Sequence, residues 1–218
     1  MRFRDNKEFA PGEFYHIYNR GNGKMNIFRD VEDFIFFLSR LEENLFPDKE
    51  AIDRHKQKFP DSYIRGTLPE KSFTIICYCL MPNHYHILIR QNADTSVSKL
   101  VAKLATGFSM YFNKKYKNVG SVFQGKFKAV RVDSDNYLSW LSAYIHQNPA
   151  VAGIVKNIID YRYSSYLDYI GISNSKICDT SLLLGMFEDK IKDYKEFVDS
   201  SFELIKSKKE MKDLLLDD

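Results

Sequence analysis

His84 and His86 sit on either side of one aromatic residue in the run Met81-Pro82-Asn83-His84-Tyr85-His86-Ile87-Leu88-Ile89-Arg90. Side chains at i and i+2 of an extended strand project to the same face, so the two imidazoles point together. Neutral imidazole is a common metal ligand, and a pair fixed by the backbone needs little further ordering to chelate. Tyr85, Ile87 and Ile89 then form the opposite, apolar face. The plain alternative is two histidines alternating along a half-exposed strand, and this stretch alone leaves it open. A second set lies in the run Asp135 to Asn148, where Tyr144 and Asn148 stand at i and i+4 and so share one helix face. Set against the histidine face, Asn148 would join the imidazoles around one ion, with the Tyr144 phenol beside it. Spacing alone equally permits Tyr144 as one more packed aromatic in line with Tyr137 and Trp140, and Asn148 as an end-of-helix residue.

The elements that must position these groups are legible from period and punctuation. Glu13 to Arg20 has strand composition and ends at Gly21 and Gly23. Asp30 is a candidate N-cap for a helix with Val31, Phe34, Leu38, Leu41 and Leu45 at helical spacing, up to Pro47. Residues 47–71 turn charged and lose periodicity, which reads as a surface excursion with a short helix around Ala51 to Lys58. Phe73 to Leu80 is the next strand, and the turn Met81-Pro82-Asn83 makes a hairpin with the His-Tyr-His strand. Thr95 or Ser96 caps a helix whose apolar stripe is Val97, Leu100, Val101, Leu104, Phe108 and Tyr111. Ser121 to Val132 reads as a strand on which Gln124, Lys126 and Lys128 share a face. Asp133 or Ser134 caps the helix carrying Leu138, Leu141, Tyr144 and Ile145, which should stop near Pro149. The order β-α-β-β-α-β with a helix appended gives an α+β, ferredoxin-like split βαβ fold: an antiparallel sheet with helices on one face and the other face open for a site. Residues 1–155 form that domain. Residues 156–218 form a C-terminal helical extension, Tyr-rich at first and then helical, with Ile191, Tyr194, Phe197 or Val198, and Ile205 spaced as a helix face. The charged end from Lys206 to Asp218 is expected to fray.

At 218 residues the chain can bury a proper core, and a net charge of +3 does not by itself call for nucleic acid. With seventeen Phe and fourteen Tyr, no single tyrosine stands out by rarity. Three cysteines cannot all pair, and Cys77 and Cys79 alternate on a buried strand, so they read as core thiols in a reducing compartment. Arg2, Arg4, Asp5 and Lys7 open the chain without an apolar run, and no stretch approaches a membrane span. The expectation is a soluble, cytoplasmic protein with no membrane partner.

His84-Tyr85-His86 after Met81-Pro82-Asn83, together with Tyr144-Ile145-His146-Gln147-Asn148-Pro149, resembles the single-tyrosine HUH transposases (Y1, IS200-like), and within them the subgroup associated with repetitive extragenic palindromes (REP). Tyr15-His16-Ile17-Tyr18-Asn19-Arg20-Gly21-Asn22, Gly120-Ser121-Val122-Phe123-Gln124-Gly125-Lys126-Phe127 and Tyr163-Ser164-Ser165-Tyr166 fit that subgroup in the same order. The resemblance implies a ferredoxin-like transposase that cleaves and rejoins single-stranded or hairpin DNA, including palindromic repeats, with Mg²⁺ or Mn²⁺. It implies His84 and His86 as metal ligands, Tyr144 as the nucleophile that forms a 5′-phosphotyrosine and releases a 3′-OH, and Asn148 as the third, polar ligand. The excursion at 47–71 and the tail beyond Gly171 depart from the family pattern, so substrate choice is left open. A homodimer is left open too, because related enzymes can complete the site with a helix from a second subunit.

The chemistry suits these residue types. Two imidazoles and an amide are neutral, so a bound divalent ion keeps its charge for a phosphate oxygen. Two imidazoles would accept Zn²⁺, while an amide and water favour harder ions. A tyrosine phenol ordinarily ionises near ~10 and needs a cation, base or water to activate it. The sequence does not name that group, and His146 lies on a different side of the helix. Lys99, Lys103, Lys114, Lys115, Lys126, Lys128 and Arg131 are candidate phosphate contacts, joined by Arg20, Asn22 and Gln124; each lysine taken singly reads as readily as a solvated charge. Stacking aromatics are expected for unpaired bases, but none is singled out. The rival readings are a DNA-binding protein of the same fold without strand transfer, a replication or conjugation initiator, and a metallohydrolase that uses water directly.

Overall fold

Runs rich in aromatic and β-branched residues form the four strands, β1 (Phe14–Arg20), β2 (Phe73–Met81), β3 (His84–Gln91) and β4 (Lys128–Val132). In the computed structural model, which describes residues 8–64 and 66–214, they make one antiparallel sheet in the order β2-β3-β1-β4. The lead-in residues Arg2, Arg4, Asp5 and Lys7 and residues 215–218 lie outside the described residues. β2 and β3 form the expected hairpin around Pro82 and Asn83. The sheet order and the interleaved helices are those of the split βαβ fold.

Helix α1 (Val31–Leu45) starts at Asp30 with a reciprocal capping box to Asp33. Helix α2 (Lys49–Lys58) occupies the charged excursion and is capped by Asp48. Ser96 caps α3 (Val97–Tyr116), and Ser134, whose Oγ accepts from Tyr137 N, caps α4 (Asp135–Val151). The extension adds α5 (Tyr166–Tyr169), α6 (Ser181–Leu184), α7 (Lys190–Ser200) and α8 (Phe202–Leu214). Residues 206–214 thus continue a helix. In the apolar stripe of the extension, Tyr194, Val198 and Ile205 are buried, while Ile191 is exposed.

Three expectations need correction. Strand β4 begins at Lys128, because Gly120 (φ 98) and Gly125 (φ 70) take left-handed backbone that a continuous ladder cannot accommodate. Residues 121–127 are therefore a loop joined to the sheet by a single bridge from Phe123 to Gly21, and Gln124 and Lys126 do not alternate with Lys128. Helix α4 runs past Pro149 to Val151, since a proline this close to the helix end removes only one backbone hydrogen bond. Gly153, at φ 69, follows just after it. The third correction is that helices lie on both faces of the sheet. Tyr15, Ile17, Tyr85, Ile87 and Ile89 pack with α1 and α3 through Phe34, Phe37, Leu41, Leu104 and Phe108. On the other face Cys77, Cys79, Met81, Leu88 and Val132 pack with Leu138, Leu141 and Ile145 of α4 and with Tyr166, Tyr169, Tyr194 and Val198 of the extension. A bulge between Ile75 and Cys77 turns Ile76 to that second face as well. Cys77 and Cys79 are buried and in no disulfide, as core thiols would be. No helix among the described residues is long and apolar enough to cross a membrane.

Candidate active site

Strand pairing builds the site. β1 lies beside β3 with Tyr18 opposite His86, Arg20 opposite His84 and His16 opposite Leu88. Directly paired residues share a sheet face, so alternation puts His16, Tyr18 and Arg20 on the face of His84 and His86. β4 adds Lys128, opposite Tyr18. Helix α4 crosses this face and delivers Tyr144: its ring centroid lies 5.7 Å from that of His86 and 6.4 Å from that of His16, both edge-on. The phenol and the imidazoles belong to one chain. Along α4 the Tyr144 ring also stacks on Trp140 at 5.7 Å, and Trp140 on Tyr137 at 6.3 Å. Tyr144 is therefore both a member of an aromatic row and a neighbour of the histidines.

The imidazoles form a connected group. The rings of His84 and His86 are 5.0 Å apart and perpendicular. His16 stacks beside His86, and its Nε2 lies 2.9 Å from His86 Nδ1. Burial holds the His16 pKa down at about 3, so this ring is neutral at physiological pH. His84 Nδ1 meets Asn83 Oδ1 at 2.6 Å. Burial pushes the Tyr18 phenol up, with Tyr144 and Tyr137 adding to the shift, so Tyr18 stays a protonated hydroxyl. The sequence places His16 and Tyr18 inside one of the stretches that carry the resemblance but assigns neither a role. The available signal was the alternation His16-Ile17-Tyr18, the same pattern as His84-Tyr85-His86.

Asn148 lies one turn beyond Tyr144; it is buried, and its Nδ2 donates to the Tyr144 carbonyl at 2.8 Å. That bond uses the amide donor and leaves Oδ1, the atom with ligating lone pairs, outside it. Among the described residues no three His, Cys, Asp or Glu side chains form a metal-holding group. An ion here would draw on the two imidazoles of β3 and complete its shell from an amide, water or phosphate. The chemistry of the donors suits this, because Nδ1 of both His84 and His86 is engaged by a neighbour and Nε2 is the nitrogen that can carry the lone pair. His146, in contrast, is buried on another side of α4, bonded through Nε2 to Ser165 Oγ at 3.0 Å and through Nδ1 to Tyr194 Oη at 2.8 Å.

The basic residues divide between layers. Arg20 and Lys128 belong to the histidine face, and Arg20 holds Gln124 Oε1 at 3.3 Å. Asn22 sits in the short turn after β1, and Lys126 in the loop before β4; both are exposed. Lys99, Lys103, Lys114 and Lys115 are on α3, in the layer across the sheet, and Arg131 alternates to that side as well. There Lys103 reaches the Gly66 carbonyl, Lys114 pairs with Asp61, and Arg131 pairs with Glu13. Lys115 is held by Asp30, Glu32 and Asp33 at 2.8, 2.7 and 3.0 Å, a carboxylate group that would repel a phosphate. A cleft of about 760 Å³ between α3 and the 120–127 loop also lies in this second layer, away from the histidines.

The profile of the family described as IS200-like transposase matches residues 48–148, a span that includes His84, His86, Tyr144 and Asn148. A Haemophilus influenzae protein named as a REP-associated tyrosine transposase is 27% identical over 142 residues, covering 60% of this chain and 78% of that protein. The solved structure of a REP-associated tyrosine transposase bound to a REP hairpin superposes with a TM-score of 0.52 at 13% identity, over 80% of this chain and 95% of that one. At that identity the second likeness is one of fold.

Proposed function

We propose that this chain works as the IS200-like transposases that it resembles, as a metal-dependent DNA strand transferase with Tyr144 as its nucleophile. The observation that carries the reading is the Tyr144 ring lying edge-on to His86 and His16 within one chain. The solved relative is bound to a REP hairpin, and we extend that class of ligand, single-stranded or hairpin DNA with palindromic repeats, to this protein. Residues 1–155 would be the catalytic domain and residues 156–218 the extension that braces α4. The same reading places the protein in the cytoplasm and lets a single chain complete its site.

His84 and His86 would hold a Mg²⁺ or Mn²⁺ ion, with Asn148 Oδ1 as the third protein donor. Once bound, such an ion supplies a positive charge that polarises a phosphate and offsets charge developing on it. Tyr144 then attacks phosphorus through its phenol oxygen. A P–O(Tyr) bond forms as the P–O3′ bond breaks, the phenol proton is lost, and the leaving 3′ oxygen takes one up. One phosphodiester replaces another, so the 5′-phosphotyrosine keeps the bond energy for a later 3′-OH to reclaim without ATP. Arg20 and Lys128 on the histidine face, with Asn22, Gln124 and Lys126 at its edge, would position the DNA backbone.

The test is a labelled hairpin with a single-stranded flank, incubated with Mg²⁺ or Mn²⁺ and run on a denaturing gel. The wild-type chain should form a covalent adduct, and His84→Ala and His86→Ala should lose it. A Tyr144→Phe protein that still forms the adduct refutes the assignment. Hairpin binding that survives chelation without any cleavage would instead support a binding protein of the same fold.

A further inference from the structure

We propose that His16 is a positioning residue: its Nε2 accepts a hydrogen bond from His86 Nδ1 and so holds His86 in the tautomer whose Nε2 carries a lone pair. This rests on the reading that His86 is a metal ligand. Where two imidazole nitrogens meet at 2.9 Å, one ring donates and the other accepts. Were His16 the donor, the His86 proton would sit on Nε2 and no lone pair would remain there for an ion. The neighbouring ligand shows the same arrangement, because His84 Nδ1 meets Asn83 Oδ1 at 2.6 Å, and a carbonyl oxygen can only accept. Both ligand rings are thus engaged at Nδ1 from the side.

His16 is built to keep that role. It is 7% exposed, it is fixed by β1 pairing, and its ring is stacked on His86 at 5.0 Å and lies tilted beside Tyr18 at 5.0 Å. Tyr144 closes the group edge-on at 6.4 Å. Partners that orient a metal-bound imidazole typically set metal affinity by roughly 10- to 100-fold.

The test uses the full-length chain and Mn²⁺ as probe. Long-range ¹⁵N–¹H spectra of the metal-free wild type should report His86 as the Nδ1–H tautomer. Mn²⁺ titration followed by electron paramagnetic resonance should show His16→Phe weakened by roughly 10- to 100-fold. His16→Gln, which retains an acceptor of similar reach, should recover most of that loss. His86 found as Nε2–H, a folded His16→Phe that binds Mn²⁺ like wild type, or a His16→Gln as weak as His16→Phe would each overturn the proposal. If His16→Phe fails to fold, the wild-type tautomer decides. A wild type with the Nδ1–H tautomer that binds no Mn²⁺ would instead overturn the metal reading beneath it.

Discussion

Lowering the pH from 7.5 to 5.0 should remove a large part of the folding stability of this chain, and buried histidines are the reason. Burial holds the pKa of His16 and of His146 at about 3. His55 is held at about 4, by burial first and then by the charges of Arg40, Lys56 and Lys58. In the unfolded chain each ionises near ~6.5. A group whose folded pKa is depressed contributes fully above its unfolded value, and the contribution drains as pH falls from that value towards the folded one. At pH 5.0 each histidine therefore costs about 2 kcal/mol, and the three together about 6 kcal/mol, against a typical total of 5–15. Urea midpoints measured in EDTA at half-unit steps of pH should give a slope approaching three protons near pH 5.5. His146→Gln should lower the stability at pH 7.5, since it disturbs the bonds to Ser165 and Tyr194, and should also flatten the slope by about one proton. Stability that stays level between pH 7.5 and 5.0, or a slope that His146→Gln leaves intact, would refute this reasoning.

Other perturbations separate the layers of the molecule. Arg20→Ala and Lys128→Ala should each weaken hairpin binding across all sequences and reduce the salt slope of binding by about one, read by fluorescence anisotropy at several salt concentrations. Lys115→Met should cost about 2 kcal/mol in urea unfolding, because it takes the cation from the buried Asp33 carboxylate and leaves it with the neutral donors Tyr111, Tyr116 and the backbone amides of Arg29 and Asp30. The same variant should leave hairpin affinity unchanged. Gly125→Val should cost about 1–2 kcal/mol from backbone conformation, given its φ of 70 and the open space around its Cβ direction. The roomier Gly125→Asn should recover part of that loss in the same unfolding assay.

Local periodicity made most of the elements legible. The stripe Val97, Leu100, Val101, Leu104 and Phe108 is buried as a helix face should be, and the hairpin around Pro82 forms as turn chemistry requires. Periodicity tells which residues are buried but not which layer buries them. That is why α4 covers the histidine face when the pattern alone left it open, and why the α3 lysines lie across the sheet from Tyr144. Position in a turn can override composition: Gly120 and Gly125 break a stretch whose residue types suit a strand. His16 escaped for a different reason. Its place beside His86 depends on the register of two strands about 70 residues apart, and register is a property of the folded pairing.

The residues of α4 also explain why a helical extension belongs beside this site. Positions two apart on a helix point about 200° apart, so Tyr144 and His146 face opposite ways. Tyr144 meets the histidines of β1 and β3, while His146 and Gln147 are tied to the extension, the latter through Nε2 to the Val198 carbonyl at 2.9 Å. Tyr194 Oη donates to Ser142 Oγ at 3.0 Å, adding a third bond between α7 and α4. Ser165 links the same cluster to the β2 backbone, accepting from Tyr78 N at 2.9 Å. A nucleophile must be held within a fraction of an ångström of its reacting geometry, and side chains on a helix meet that demand only if the helix itself cannot roll. On the proposed assignment of Tyr144 as nucleophile, the network around His146 supplies that constraint from the opposite side of α4, and residues far from the reacting atoms would help to aim the phenol.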